Sequence, residues 1–321
     1  MPELIRRTRH VLDQEERKGH LRGHELIFVN DASTDRSLEI ILDAAKGRQD
    51  IRLINMSRTF GVAPCIMAGM QYSRGDAVIY MDADLQDPPE VIPELLDTWR
   101  KDNRIDVVHT VRKKRLGESR IKLFVTKIGY WILNSFSSIA IPVEAGDFKL
   151  LSRRAVNHIV QLRETRPYIR GLVCWIGFKQ AFIQYERQAR QAGETKFPIF
   201  GWKVMSNFFG SALISFCALP LKVASFVGLI TILFVFLLLI HVVLEKVQGH
   251  AIPGWTAIMI AILFTGGVQL LCLGIIGIYL DSVYEQGKQR PGYIVESTFG
   301  FPEGVLKKDT AQTSQAQPLT S

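Results

Sequence analysis

Residues 77–90 read AVIYMDADLQDPPE, an apolar segment that passes directly into three carboxylates and two prolines. Ala77 to Met81 have the composition of a buried strand, and Pro88-Pro89 ends any regular element. A strand that delivers carboxylates to a loop at its C-terminal end is typical of the ligand-binding edge of an open α/β sheet. This stretch therefore predicts an α/β fold with its site at that edge.

The first two carboxylates of this loop, Asp82 and Asp84, are two residues apart and point the same way on an extended backbone. Two carboxylates about 4 Å apart repel by roughly 4 kcal/mol at an effective dielectric constant of about 20, so the pair favours a bound cation. Mg²⁺ or Mn²⁺ fits, because such ions combine protein carboxylates with substrate phosphates and water. Gln86, two residues on, adds a neutral oxygen. For a bare pair at this spacing, a solvated acidic turn is an open alternative.

Helices and strands alternate on both sides of the acidic loop. Strands are predicted at Glu25 to Val29, Ile51 to Asn55, Ala77 to Met81 and Asp106 to Val111. Helices are predicted at Glu3 to Lys18, Ser37 to Ala45, Val62 to Ser73 and Pro93 to Lys101. This alternation predicts a mostly parallel sheet with helices on both faces.

The last third of the chain is strongly apolar. Between Lys222 and Glu245 lie 22 uncharged residues, long enough as a helix to cross a hydrocarbon core of about 30 Å, and Trp255 to Leu280 is a second uncharged run. Residues 199–220 alternate aromatic and aliphatic with small polar residues, which indicates amphipathic helices at the membrane surface. We therefore predict a membrane protein with two transmembrane helices.

Basic residues flank this apolar region on one side of the predicted membrane. They are Lys196, Lys203, Lys222, Lys288, Arg290, Lys307 and Lys308. The positive-inside rule then predicts that the N-terminal domain and both termini face the cytoplasm, in the inner (plasma) membrane. The polar, charged start predicts no signal peptide.

The net charge of +8 lies outside the apolar runs, which favours anionic lipid headgroups and phosphorylated ligands as partners. The sequence contains no basic stripe interleaved with aromatic residues, so nucleic acid is a less favoured partner. The four cysteines, Cys65, Cys174, Cys217 and Cys272, have no paired spacing and are predicted to be reduced packing residues.

Six motifs in sequence resemble one family. DADLQDPPE is similar to the metal and nucleotide-sugar motif of family 2 glycosyltransferases with the GT-A fold, of the polyprenyl-phosphate and dolichyl-phosphate type, including bactoprenol glucosyltransferases. The others are FVNDASTD (28–35), SRTFG (57–61), GDFKLLSRRAV (146–156), GLVCWIGF (171–178) and YERQARQAGETKFP (185–198). The resemblance implies a GT-A domain over 1–198, amphipathic juxtamembrane helices over 199–220, two transmembrane helices over 221–281, and a cytoplasmic tail over 282–321, disordered at its end.

The resemblance also implies roles for individual residues, with Asp84 and Asp147 as the catalytic acids. The metal ligands would be Asp82, Asp84 and Gln86. The donor nucleotide-sugar would be held by Asp31, Arg58, Asp82, Arg187, Arg190 and Lys196. The acceptor phosphate would be held by Arg112, Lys122 and Thr126.

Simpler interpretations stay open for several of these residues. Asp31 could cap a helix, Arg58 could be a surface arginine, and Asp147 could be a turn residue. The basic run from Arg112 could be a solvated or lipid-adhering face. A lipid phosphate carries about −1.5 to −2 charge at pH 7 and scarcely needs a general base, so Asp147 is predicted to orient the acceptor or the sugar.

In this family a first strand, central in the sheet, precedes a helix resembling Pro2 to Val11. The chain begins at that helix, so we expect the strands beside the missing one to lose ladder partners. This leaves two interpretations, a start assigned too far downstream or a truncated and weakly active or inactive protein.

The resemblance predicts an inverting transfer of one sugar from a nucleotide-sugar to polyprenyl (undecaprenyl) phosphate. UDP-glucose is the first expectation, ahead of N-acetylglucosamine, aminoarabinose-type sugars and mannose. Two spans and no Gln-x-x-Arg-Trp segment favour a single transfer. The alternatives are a processive polysaccharide synthase, an inactive membrane scaffold, and a lipid-linked-sugar flippase. A homotetramer would match some relatives.

Overall fold

A computed structural model describes residues 1–112, 142, 145–162, 164–165, 167–186, 219–248 and 254–301. Its helices are α1 (Pro2–Arg17), α2 (Ser37–Ala45), α3 (Val62–Tyr72), α4 (Ile92–Arg100), α5 (Arg153–Ile159), α6 (Ile169–Trp175), α7 (Leu219–Val247) and α8 (Trp255–Gly287). Its strands are β1 (Leu26–Asn30), β2 (Ile51–Met56), β3 (Ala77–Tyr80), β4 (Ile105–Arg112), β5 (Ala145–Ser152), β6 (Lys179–Tyr185) and β7 (Val295–Phe299). A short 3₁₀ helix, Pro89–Val91, precedes α4. Each of the four strands and four helices predicted between residues 3 and 111 is confirmed, with ends that differ by one residue at most.

The described strands form two sheets, in the orders β1-β2-β7 and β3-β5-β4-β6. The pairs β1–β2 and β4–β6 are parallel, whereas β2–β7, β3–β5 and β4–β5 are antiparallel. The α/β class is therefore confirmed, but the prediction of a mostly parallel sheet is wrong. The reason is that β5 inserts between β3 and β4, and β7 beside β2, in directions that local periodicity does not report.

Helices cover both faces of the second sheet, as predicted. On one face, Val11 of α1 and Leu95 of α4 pack with Phe148 and Leu150 of β5. On the other face, Val156 of α5 joins residues of α3, α6 and β4. Burial of these side chains stabilises the fold by roughly 1.5 to 3 kcal/mol each. This double cover fixes β3 and β5, the two strands that lead to the acidic loop.

Strand β7 lies within the segment predicted as a cytoplasmic tail and was not expected. It pairs with β2, where Leu53 lies opposite Phe299. Gly300 follows with φ 78°, and a Cβ there would lie 2.7 Å from the Ile51 carbonyl oxygen, so only glycine fits this close approach. Among the described strands, β1 and β3 are outer strands of their sheets.

Helices α7 and α8 belong to a separate compact unit from the α/β unit. Within α8, Ile260–Gly287 is long and apolar enough to cross a membrane, and none of its apolar window is buried. Large side chains along both helices are exposed, including Ile232 and Leu270. A shorter apolar segment, Val223–Leu238, lies in α7. In the described part of the chain one candidate span is therefore found where two were predicted.

Candidate active site

The acidic loop begins directly after β3, which ends at Tyr80, one residue earlier than predicted. Asp82 and Asp84 are both half-buried. The backbone N–H of Gln86 donates to Asp84 Oδ1 at 3.1 Å, and Leu85 adopts a left-handed φ of 60°. Such a backbone is uncommon for leucine and bends the chain sharply. This turn, rather than strand alternation, therefore orients the Asp84 carboxylate.

The third acid of the loop, Asp87, has a different environment. It is fully buried and accepts a hydrogen bond from the Tyr185 hydroxyl of β6. Burial and this carboxylate raise the pKa of Tyr185 to about 12. Asp87 therefore anchors the loop to the second sheet, whereas Asp82 and Asp84 remain partly accessible to a ligand.

Asp147 of β5 forms an ion pair with Arg170 of α6. The Arg170 Nε donates to Asp147 Oδ1 at 2.7 Å, and Nη2 donates to Oδ2. The side chains are 24% and 29% exposed. Burial opposes ionisation of Asp147, but the two bonds from Arg170 outweigh it and lower the pKa of the carboxyl. Asp147 is thus a stable carboxylate, as an orienting group requires.

A buried lysine and a half-buried tyrosine lie near this ion pair. Lys149 is 1% exposed, and burial lowers its pKa to about 8 although the Asp147 charge opposes the shift. Tyr80 lies opposite Lys149 in the β3–β5 register. The Tyr80 hydroxyl is buried and meets no hydrogen-bond partner among the described residues. Burial, then the charge of Asp147, raises its pKa, with a smaller contribution from Asp82. Tyr80 therefore lies near both predicted acidic positions.

Arg112, at the end of β4, packs against the backbone of Gly146. A Cβ at Gly146 would lie 3.3 Å from Arg112 Nη2. The Arg112 Nε is buried without a hydrogen-bond partner in the described part of the chain, and its charge helps to lower the pKa of Asp147. Arg112 therefore lies near Asp147 and is not part of a fully solvated basic face.

Asp31, just after β1, binds the start of α3. Its Oδ1 accepts from the Phe60 N–H at 2.7 Å and its Oδ2 accepts from the Gly61 N–H at 2.9 Å. Burial, and then the nearby Asp31 carboxylate, raises the pKa of the Cys65 thiol to about 12. Carboxylates are favourable at a helix N-terminus, so the capping interpretation describes these contacts. The hydrogen bonds of Asp31 do not test its predicted contact with the donor nucleotide-sugar.

Arg58 lies in the neighbouring segment and stacks on Phe60, with its guanidinium carbon 4.1 Å from the ring centroid. Its Nη1 donates to the Thr59 carbonyl oxygen at 3.2 Å. Thr59 Oγ1 in turn donates to the Asp31 carbonyl oxygen at 3.2 Å. Asp31 and Arg58, two predicted donor contacts, are therefore brought to the same end of the first sheet.

Several predicted site residues lie outside the described residues. They are Lys122, Thr126, Arg187, Arg190 and Lys196, together with the predicted interfacial segment at 199–218. Their roles stay predictions. The described cysteines, Cys65, Cys174 and Cys272, are free, as expected.

Sequence reasoning missed Arg170 and Lys149. Arg170 is the charged residue of the helix IRGLVCW, and Lys149 interrupts the apolar half of β5. A charge in an otherwise buried segment is expensive unless it has a partner, so both residues carried a detectable signal. The partner could not be identified, because Asp147 lies 23 positions before Arg170.

Comparison with known proteins identifies relatives across most of the chain. The family model for Glycosyl transferase family 2 matches residues 2–160. An uncharacterized glycosyltransferase from Synechocystis sp. is 41% identical over 286 residues, covering 89% of this chain and 88% of the relative. The bactoprenol glucosyl transferase of Shigella phage SfV is 35% identical over 274 residues, covering 85% of this chain and 88% of that protein.

A solved structure is also similar at lower identity. It is the glucosyl-3-phosphoglycerate synthase of Mycobacterium tuberculosis in complex with Mn²⁺, UDP-glucose and glycerol 3-phosphate. The TM-score is 0.38 at 19% identity, covering 60% of this chain and 69% of that one.

Proposed function

The chain belongs to glycosyl transferase family 2 and is a glycosyltransferase, and from this premise we propose that it transfers one sugar from a nucleotide-sugar to a polyprenyl phosphate. The sugar we propose is glucose and the donor UDP-glucose. The name of the phage relative, a bactoprenol glucosyl transferase, supports a lipid acceptor and glucose.

One observation carries this proposal: the strand that leads into the acidic loop pairs with the strand that carries Asp147. β3 and β5 are antiparallel, with Tyr80 opposite Lys149. The same register, continued past the end of β3, would bring Asp82 opposite Asp147. The Tyr80 hydroxyl, whose pKa burial and then both carboxylates raise, supports this proximity. This proximity supports the proposal that the acidic loop holds the metal and that Asp147 orients a substrate at the same edge of the second sheet.

The loop residues fit the cation that the donor requires. Asp82, Asp84 and Gln86 offer two carboxylates and an amide oxygen, the donor set that Mg²⁺ or Mn²⁺ prefers. Both acids are half-buried, so they remain accessible to a ligand. When bound, the ion would offset the negative charge that develops on the leaving diphosphate.

The acceptor in this proposal is a phosphate oxygen, which is already negative at neutral pH. This oxygen attacks the anomeric carbon, the bond from that carbon to the diphosphate oxygen breaks, and the bonding electrons leave with the nucleoside diphosphate. No proton has to be removed from the acceptor, which is consistent with an Asp147 that is tied to Arg170 and holds no proton. Arg112, half-buried beside Gly146, supplies positive charge for the incoming phosphate.

Membrane attachment brings the acceptor within reach. The apolar helix Ile260–Gly287 supports a position in the membrane, where polyprenyl phosphates are dissolved. We propose that α7 and α8 both span the inner membrane, with the α/β unit on the cytoplasmic side, where nucleotide-sugars are made.

The test incubates membranes containing the full chain with polyprenyl phosphate and a panel of labelled nucleotide-sugars, with and without EDTA. We expect a single-sugar lipid product with UDP-glucose that disappears on chelation. The variant Asp84→Asn should lose about 100-fold or more of this activity, because it removes a carboxylate that would hold the cation against the leaving diphosphate. Asp43→Asn, an exposed helical acid paired with Lys46, is the matched control and should keep full activity.

Three outcomes would contradict the proposal. Product formation in the presence of EDTA would show that the reaction needs no metal. Full activity of Asp84→Asn would show that the acidic loop has no role in the reaction. A polymeric product, rather than a lipid carrying one sugar, would favour a processive synthase.

A further inference from the structure

A cluster of charged groups lies at the edge of the first sheet where its parallel strands begin. His24 precedes β1, Asp50 precedes β2, and Asp13 and Glu16 lie in the second half of α1. Asp31 lies at the opposite end of β1. The cluster is therefore separate from the groups assigned to sugar transfer.

His24 has an unusual set of contacts at its two ring nitrogens. The Nδ1 lies 3.2 Å from Glu16 Oε2, within hydrogen-bond distance. The Nε2 lies 3.7 Å from Asp13 Oδ1 and 3.9 Å from Asp50 Oδ2, both too long for hydrogen bonds. The side chain is only 10% exposed, and Nε2 is buried with no hydrogen-bond partner among the described residues.

These contacts determine which nitrogen is able to bind a ligand. In the tautomer whose Nδ1 donates its hydrogen to the Glu16 carboxylate, the neutral ring has a lone pair on Nε2. That lone pair is directed into the space between two carboxylates, where it would be repelled unless a cation were present. A carboxylate that accepts from one nitrogen of a histidine while the other nitrogen binds a metal is a common arrangement in metalloproteins.

We propose that His24 Nε2, Asp13 and Asp50 bind one Zn²⁺-class transition-metal ion, with Glu16 orienting the imidazole. Zinc bonds to nitrogen and oxygen of about 2.1 Å separate neighbouring ligand atoms by about 3.4 Å in a tetrahedral site. The distances of 3.7 and 3.9 Å from His24 Nε2 to the two carboxylates are close to this separation. The imidazole selects Zn²⁺, Co²⁺ or Ni²⁺ over Mg²⁺, which prefers oxygen ligands alone.

Two arginines hold the carboxylates in this arrangement. Arg48 donates to both oxygens of Asp50, at 3.0 and 3.3 Å, and Arg9 Nε donates to Asp50 Oδ2 at 3.2 Å. With Asp13, Glu16 and Asp50 ionised and His24 neutral, the two guanidinium charges leave the cluster one negative charge in excess. A dication is therefore attracted, and it displaces Arg9 Nε or Arg48 Nη2 from Asp50 Oδ2.

The bound ion would connect three segments that are distant in sequence. It joins the C-terminal half of α1 to the first residues of β1 and β2. An ion in this position stabilises the α/β unit and takes no part in chemistry, because it lies at the opposite end of β1 from Asp31.

The test uses the full-length, tag-free protein in detergent, stripped of metal with a chelator. Zn²⁺ is titrated by calorimetry, and Co²⁺ is added as a spectroscopic probe because its visible bands report nitrogen and oxygen ligands in a low-coordinate site. We expect the wild type to bind one Zn²⁺ more than His24→Gln. At Zn²⁺ about 100-fold above its dissociation constant, the wild-type melting temperature should rise by several degrees.

His20→Gln is the matched control, since His20 Nδ1 contacts Glu15 at 2.8 Å on the same edge but faces no second carboxylate pair in the described structure. It should keep both the additional Zn²⁺ and the Co²⁺ bands. Asp13→Asn retains the His24–Glu16 bond and should lose the ion, which guards against a His24→Gln protein that fails to fold. Asp84→Asn should keep it, which separates this site from the acidic loop.

Equal Zn²⁺ stoichiometry in the wild type and His24→Gln would overturn the proposal, because the zinc would then lie on cysteines or on the acidic loop. The absence of any Zn²⁺ binding or Co²⁺ band in the wild type would overturn it as well. Neither result would affect the proposed sugar transfer, which is tested separately by Asp84→Asn, a variant that should keep this Zn²⁺ and lose turnover.

Discussion

The Asp147 carboxylate and the Arg170 guanidinium form a two-bond ion pair between β5 and α6, beside the acidic loop that follows β3. Each side chain is less than one-third exposed, so solvent screens the pair only in part. The pair keeps Asp147 ionised and in one orientation. Because Asp147 lies near the acidic loop, the rate of sugar transfer should depend on the ionisation of Asp147.

Replacing Arg170 with glutamine should shift the pH dependence of turnover. Burial already acts to raise the pKa of Asp147, and Arg170 reverses that effect. Without the guanidinium the pKa rises, so the acidic limb of the pH–kcat profile should move to higher pH, and Arg170→Lys should restore part of the shift. Arg7→Gln breaks a similar two-bond pair with Glu90 and should leave the profile unchanged.

The same variant should lose stability, by roughly 2 kcal/mol at neutral pH, because a hydrogen-bonded charge loses its partner. The pKa of Asp147 is lower in the folded protein than its unfolded value of about 3.9, so the ionised carboxylate stabilises the fold fully above that pH. This stabilisation is lost as the pH falls through the folded pKa. The difference between wild type and variant in chemical denaturation should therefore shrink below about pH 4. A constant difference down to pH 2 would contradict the ion-pair interpretation.

Lys149→Met should remove a pH-dependent gain in stability. The folded pKa of Lys149 is about 8, lowered by burial from 10.5, so between these values the unfolded chain binds more protons. Wild-type stability should then rise between pH 8 and 10.5, by up to about 3 kcal/mol. Chemical denaturation at pH 7.5, 8.5 and 9.5 should show this rise in the wild type and in Lys46→Met, an exposed control, but not in Lys149→Met. Parallel curves would mean that Lys149 is solvated.

Asp31 variants can separate helix capping from donor binding. Asp31→Ala removes two hydrogen bonds to the start of α3 and should cost about 1 to 2 kcal/mol, whereas Asp31→Asn keeps one acceptor oxygen and should cost less. If Asp31 also contacts the donor, Asp31→Asn should raise the KM for nucleotide-sugar about tenfold with kcat retained. Asp35→Asn, in the same loop, is the control. An unchanged KM would leave Asp31 as a cap alone.

Gly146→Ala should weaken acceptor use specifically. The new Cβ would lie 3.3 Å from Arg112 Nη2 and 3.6 Å from Nε, so the guanidinium must move by a few tenths of an ångström. We expect a severalfold higher KM for polyprenyl phosphate, an unchanged KM for nucleotide-sugar, and little change in melting temperature. Gly23→Ala, where a Cβ meets nothing within 4 Å, is the control. Equal increases in both KM values would indicate general damage to β5.

Local features of the chain predicted much of this architecture. Helix α2 has the ends that the sequence predicts, and the ends of α1 differ from the predicted ones by one residue. These features depend on neighbours within a few residues, where periodicity and capping act. The acidic loop after β3 is local for the same reason, since its acids follow a strand directly in the sequence.

Contacts between distant residues could not be predicted in this way. The three loop acids differ in accessibility because of a distant residue. Asp87 is buried where it accepts a hydrogen bond from Tyr185, 98 positions later in the chain, whereas Asp82 and Asp84 stay partly accessible. The antiparallel placement of β5 and β7, the Arg170 partner of Asp147 and the His24 cluster likewise appear only when separate segments pack. The sequence by itself determined the strands and helices up to residue 112, the apolar helices and the position of the acidic loop. The tertiary structure decided which charges meet, because ion pairs and strand partners form between segments that only folding brings together.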